Sequence, residues 1–236
     1  LAVSIYSIGY VKEYFGKKDI GYLGLLFNLF ILSMILVSTF MVLGSRRLYT
    51  CVRAFQFQSL LIACVAGIVA YSTGRSDIYI VALLTLIVKA VIIPYLFFYI
   101  ISELKIKREI ELFVNISPSL LIGGMLVVIS YYLARSINHD TGLSSYALSA
   151  SMSLLLIGLF IMISRKKAIL QMLGILIMEN GLFLGAISLT YGMPLLIELG
   201  IFFDILVGAL IMGVLIFRIN RTFETIDTDR LTTLME

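Results

Sequence analysis

DIYIVALLTLIVKAVIIPYLFFYII, residues 77–101, is an almost unbroken apolar run with one lysine, Lys89, at its midpoint, 12 residues from both Asp77 and Ile101. A hydrocarbon core about 30 Å thick is crossed by about 20 helical residues, so this run is long enough to span a bilayer. A charge at its centre costs about 2.5 to 3.5 kcal/mol by insertion scales, and such residues face a bundle interior or a wet path and have partners. Two further apolar runs repeat the arrangement. Glu179 stands 12 residues from Lys167 and from Tyr191, and Asp204 stands 10 from Pro194 and 14 from Arg218. At about 1.5 Å per residue, all three lie roughly 15 to 20 Å from either membrane face, too deep to snorkel to water. That placement points to ion movement.

Composition supports the same class. With 61% hydrophobic and 14% charged residues and a mean hydropathy of +1.07, the 236-residue chain has too little polar surface to cover a soluble globule. The expected fold is an all-α, polytopic membrane protein with about seven transmembrane helices, at 22–44, 50–71, 77–101, 117–134, 146–163, 168–190 and 194–217. Tyr22, Tyr71, Tyr79, Tyr146 and Tyr191 lie at the edges of these runs, where amphipathic rings prefer the headgroup region. Arg46, Arg47, Arg53, Lys105, Lys107, Arg108, Arg165, Lys166, Lys167, Arg218, Arg221 and Arg230 fall on one side; Lys12, Lys17, Lys18, Arg75 and Arg135 fall on the other. The richer side is expected to be cytoplasmic, with the carboxyl terminus inside. Because these charges ring a membrane face, a nucleic-acid partner is not expected.

A degenerate repeat organises the chain. Ser45-Arg46-Arg47 matches Ser164-Arg165-Lys166, and each cluster opens a span ending at a tyrosine, Tyr71 or Tyr191. Two three-helix units point the same way only if an odd number of helices separates them, and the span at 117–134, which has no central charge, supplies one. Repeats of this kind recur in transport folds, with sites near the midplane between them. The expected divisions are an amino-terminal segment, 1–21; a first three-helix unit, 22–101; a connector helix with its loops, 102–145; a second unit, 146–218; and a tail, 219–236. Residues 1–21 fit either a surface-lying segment or a truncated span.

Lys89, Glu179 and Asp204 form the expected ion-translocation set. A buried lysine within reach of a carboxylate is a two-state device: paired, both stay charged; separated, each is driven towards neutrality. The competing reading is a static buried ion pair that fastens helices. Gln58, Asn180 and Glu198 are supporting candidates, with Gln56 at a similar depth to Gln58. Gly181 and Gly185 make a small-residue face suited to close helix contact. Cys51 and Cys64, 13 residues apart on one helix, lie roughly 20 Å apart, too far for a disulfide. His139 has no second His or Cys nearby, so no metal site or bound cofactor is expected.

Several stretches carry a family resemblance. SRKKAILQMLGILIMENGLFL, PLLIELGIFFDILVGALIMGVL and RTFETIDTDRLTTL, within Ile163 to Leu234, resemble the last part of hydrogenase-4 component E, a membrane subunit of formate hydrogenlyase-type [NiFe] hydrogenases. SRRLYTCVRAFQFQSLL and LIVKAVIIPYLFFY in the first half resemble the same family, so the likeness covers about residues 24–236. That family is similar in its final three helices to subunit K of respiratory complex I. Asp204, in FFDILVGAL, falls where subunit K has the carboxylate of its third helix. Glu179 is one turn from the place of its second-helix glutamate, where this chain has Leu176. Residues 4–40 also resemble a stretch of the antiporter-like subunits of these complexes, through gene fusion or shared ancestry.

The resemblance implies a non-catalytic membrane-arm subunit of a complex I-like, energy-converting hydrogenase or oxidoreductase, moving protons or sodium ions. It implies partners among antiporter-like and peripheral-arm anchor subunits, and indirectly the hydrogenase and iron–sulfur subunits. With two cysteines, the chain has no cluster of thiolates to hold a metal centre itself. The alternatives are a subunit of a multi-subunit cation/proton antiporter and a structural spacer. The expected location is the cell (inner) membrane.

Overall fold

The computed structural model describes residues 19–73, 76–103, 114–137, 143–190 and 208. The helices are α1, Asp19–Gly44; α2, Leu48–Thr73; α3, Ser76–Ile87; a π-helical segment, Val88–Ile92; α4, Ile93–Glu103; α5, Ile116–Ile137; α6, Leu143–Ser164; and α7, Ala168–Thr190. The π segment joins α3 and α4 into one span. Among the described residues, six helices are long and apolar enough to cross a membrane, and they match the first six expected spans. The seventh, at 194–217, lies outside the described residues, as do Asp204, Glu198, His139 and residues 1–18.

Helices form because hydrocarbon offers no partner for a free backbone N–H or C=O, and a helix satisfies each within its own segment. The hydroxyls follow the same rule. Ser38 and Thr39 donate to the Ile35 carbonyl at 2.6 and 3.0 Å, Ser130 to Leu126 at 2.8 Å and Ser153 to Ser149 at 2.7 Å.

Helix α2 packs against α1, α3, the π segment, α4 and α7, while α6 packs against α1, α5 and α7. The second half is thereby joined to the first through α1–α6 and α2–α7. Helix α5 lies at the edge: 17% of its span is buried, against 67% for α7. That position suits a connector. Helices α6 and α7 approach most closely at glycines. A Cβ on Gly158 would meet the Gly174 carbonyl at 2.7 Å, one on Gly174 would meet the Gly158 carbonyl at 2.8 Å, and one on Gly181 would meet the Ser151 carbonyl at 2.8 Å. Ser151 Oγ bridges the pair by donating to the Gly181 carbonyl at 2.7 Å. The expected Gly181–Gly185 face is therefore used, and Gly158 and Gly174 extend it.

The loops between α1 and α2 and between α6 and α7 are built alike. Arg47 O accepts from the amides of Thr50 and Cys51, and Lys167 O accepts from those of Leu170 and Gln171. Helices α1 and α6 end at residues 44 and 164, and α2 and α7 begin at 48 and 168. The structural repeat thus runs at 120 residues, one more than the offset that aligns Ser45-Arg46-Arg47 with Ser164-Arg165-Lys166. Arg47 corresponds to Lys167, and Arg165 takes the place of Ser45.

This register change gives Arg165 a role that the charge count did not foresee. Instead of joining an exposed basic ring, Arg165 is 1% exposed, and its Nη2 donates to the Leu43 carbonyl at the end of α1, at 2.6 Å. Burial pulls the guanidinium below the usual arginine range, yet the side chain stays charged. Its own carbonyl accepts from Gln171 Nε2 at 3.0 Å. Replacing Arg165 by Gln is expected to destabilise the chain by about 2 kcal/mol, because the buried Leu43 acceptor loses its charged donor. Thermal unfolding in detergent checks this.

Candidate functional site

Buried charges meet where the π segment faces α7. Lys89 is 2% exposed and Glu179 3%; Lys89 Nζ lies 2.9 Å from Glu179 Oε1. The Phe183 ring, one turn after Glu179 on the same face of α7, has its centroid 5.8 Å from Nζ and adds the attraction of its π face for a cation. Thr85, one turn before Lys89, is also buried. The helices that carry the pair share one continuous apolar core, to which Phe55 of α2, Ile93 and Phe97 of α4, and Leu173, Leu176 and Ile177 of α7 belong. Leu176, at the position where the resemblance would put a glutamate, is fully buried in that core. Glu179 makes the contact with Lys89 one turn later.

A chain of polar side chains starts at the residue next to Glu179. Asn180 Nδ2 lies 3.3 Å from both Gln58 Oε1 and Ser59 Oγ of α2. Gln58 Nε2 donates to Thr39 Oγ1 of α1 at 2.8 Å, and Thr39 closes on the Ile35 carbonyl. Asn180 Oδ1 is buried without a hydrogen-bond partner among the described residues, an arrangement that normally calls for water. Near mid-membrane, hydrogen-bonding groups therefore run from Asn180 of α7 through α2 to α1.

Of the residues singled out from sequence, the structure brings together Lys89 with Glu179 and Gln58 with Asn180. Gln56 and Gln58 share a depth but part company, because two residues advance a helix by about 200°. Gln56 turns towards the third span, where its Nε2 donates to the Ala90 carbonyl at 2.9 Å. Thr39, Ser59 and Thr85 were not anticipated; their signal was a hydroxyl at the depth of the charges. The π segment was also missed, and Pro94, five residues beyond Lys89, was its mark.

An ion pair so deep is a poor device for stability alone. Desolvation of two charges offsets much of their attraction, and well-packed apolar replacements are often as stable or more so. What the geometry does offer is a proton donor and acceptor in contact, held away from bulk water.

The chain is similar to several known proteins. Residues 146–236 match the family described as NADH-ubiquinone/plastoquinone oxidoreductase chain 4L. Rv0085, an uncharacterized protein of Mycobacterium tuberculosis, is 28% identical over 204 residues, covering 86% of this chain and 93% of that protein. Hydrogenase-4 component E of Escherichia coli K12 is 25% identical over 181 residues, covering 75% of this chain and 82% of that protein. The Shigella flexneri protein of the same name has the same figures. No solved structure matches. The kinship with hydrogenase-4 component E read from the residues is thereby shown, together with a subunit K-like domain in the carboxyl-terminal part.

Proposed function

We propose that this relative of hydrogenase-4 component E, with its chain 4L domain, is a membrane-arm subunit of a complex I-like energy-converting oxidoreductase of the [NiFe] hydrogenase kind. Its work is to move protons, or sodium ions, through the plane of Lys89, Glu179 and Asp204. The observation that carries this reading is the 2.9 Å Lys89–Glu179 contact in a buried mid-membrane position. A proton reaching Glu179 removes the negative charge that holds the ammonium in a dry site. Lys89 then gives up a proton to the next acceptor, and the return of a proton to Lys89 with its loss from Glu179 restores the pair. Asp204 is the proposed further acceptor.

The partners in this reading are an antiporter-like subunit and a subunit anchoring the peripheral arm; hydrogenase and iron–sulfur subunits carry the electrons. In this reading the carboxyl terminus lies on the cytoplasmic side of the inner membrane, a placement supported by the excess of Lys and Arg in the loops on that side. Two experiments test the proposal. Purification from native membranes should bring down redox subunits with the chain; a purely membrane-bound complex would favour the cation/proton antiporter. Asp204→Ala should give an assembled complex without ion pumping, whereas normal coupling with weakened assembly would favour the spacer.

A further inference from the structure

The third span is irregular where it carries its central charge. Six of its buried residues, Val81, Thr85, Lys89, Ile93, Phe97 and Ile101, recur every four positions, with Ile78, Ala82, Ala90 and Ile100 buried beside them. In a helix of 3.6 residues per turn, five such steps drift about 200°, which would leave Val81 and Ile101 on opposite sides of a straight α-helix. A π turn takes up an extra residue, about 100°, and halves the drift. The π segment Val88–Ile92 does this, with the Ile93 amide donating five residues back to the Val88 carbonyl. Lys89 sits inside it.

Pro94 explains why the turn opens there. Proline has no N–H, so the ordinary bond from residue 94 to the Ala90 carbonyl cannot form. Gln56 Nε2 supplies a hydrogen bond to that carbonyl from the neighbouring helix, at 2.9 Å. An irregular turn within a membrane is tolerated where neighbouring groups take over the freed backbone in this way.

We infer that Gln56 is a positioning residue for Lys89: by bonding to the Ala90 carbonyl, it fixes the π turn in the register that presents the ammonium to Glu179. The purpose of this positioning rests on the ion-relay reading; its geometry does not. A shift of the turn to α register would rotate Lys89 by about 100° relative to one half of its span, enough to break its contact with Glu179. Gln56, which bonds to the backbone next to Lys89, thereby controls whether the charges meet.

The test uses the full chain with its co-purifying subunits in lipid bilayers, labelled with 15N at lysine Nζ and 13C at glutamate Cδ. The dipolar coupling of the buried pair is assigned by its loss in Glu179→Gln. In Gln56→Leu, which fills similar space without a donor, this coupling is expected to be lost. Gln56→Leu combined with Pro94→Ala gives the Ala90 carbonyl a backbone donor, so this variant is expected to fold even if the single one does not. It too should lose the coupling, because α register becomes available. A coupling of wild-type strength in either variant overturns the inference. If the coupling is lost while ion transport persists, the positioning stands and the relay falls.

Discussion

Lys89→Met combined with Glu179→Leu is expected to leave an assembled complex that no longer moves ions. Each single replacement strands one buried charge or its polar remnant in an apolar core, and removing one partner of a buried pair costs about 3 to 5 kcal/mol. Replacing both removes the two desolvation penalties together, so the double variant should be as stable as the wild type, or more stable by about 1 to 4 kcal/mol. The helices that carry the pair are joined by a continuous apolar core, a setting in which Met and Leu can pack. A relay and a fastener make opposite predictions here. If the pair only fastens the third span to α7, the double variant should keep ion movement; if it conducts, stability returns and transport does not. Thermal unfolding and vesicle acidification measured on the same preparation separate the two outcomes.

Gly158→Leu is expected to prevent accumulation of folded protein. The Cβ of the new residue would meet the Gly174 carbonyl at 2.7 Å and the Met178 amide nitrogen at 2.8 Å. Both are backbone atoms of α7, which cannot swing aside as the end of a flexible side chain can. Overpacking a core costs about 1 to 3 kcal/mol where side chains can adjust, and separating two helix backbones is expected to exceed that range. Gly67→Leu is the control, since a Cβ there meets nothing within 4 Å. Detergent-solubilised yield and size-exclusion profile check the contrast. The effect should reach the site, because Glu179 and Asn180 ride on the helix that would be displaced.

How much of this was legible beforehand differs from residue to residue. The depth of Lys89 and Glu179 followed from counting, because a helix rises by a constant amount per residue. Their pairing did not follow, since Asp204 stands at a similar depth in the sequence. Gln56 and Gln58 were equivalent by depth, yet one faces the third span and the other faces α1 and α7. Arg165 counted as one more basic residue at a membrane face until its burial showed it closing the end of α1. Residue similarity left the repeat at 119 by the Ser-Arg clusters or 120 by the closing tyrosines, and the carbonyls of Arg47 and Lys167 set it at 120.

The sequence by itself determined that the chain is a polytopic helical membrane protein, where its first six spans begin and end to within three residues, and at what depth the charges sit. Each of these is a property of one helix in hydrocarbon: length fixes crossing, and rise fixes depth. The tertiary structure alone decided that Lys89 meets Glu179, that Asn180 meets Gln58, and that Gln56 bonds to the Ala90 carbonyl in the turn bearing Lys89. Those outcomes depend on the direction in which a side chain leaves its helix relative to a neighbour. Rotation about a helix axis is set by packing between helices, here by facing glycines and a proline-opened turn, and no single span specifies it.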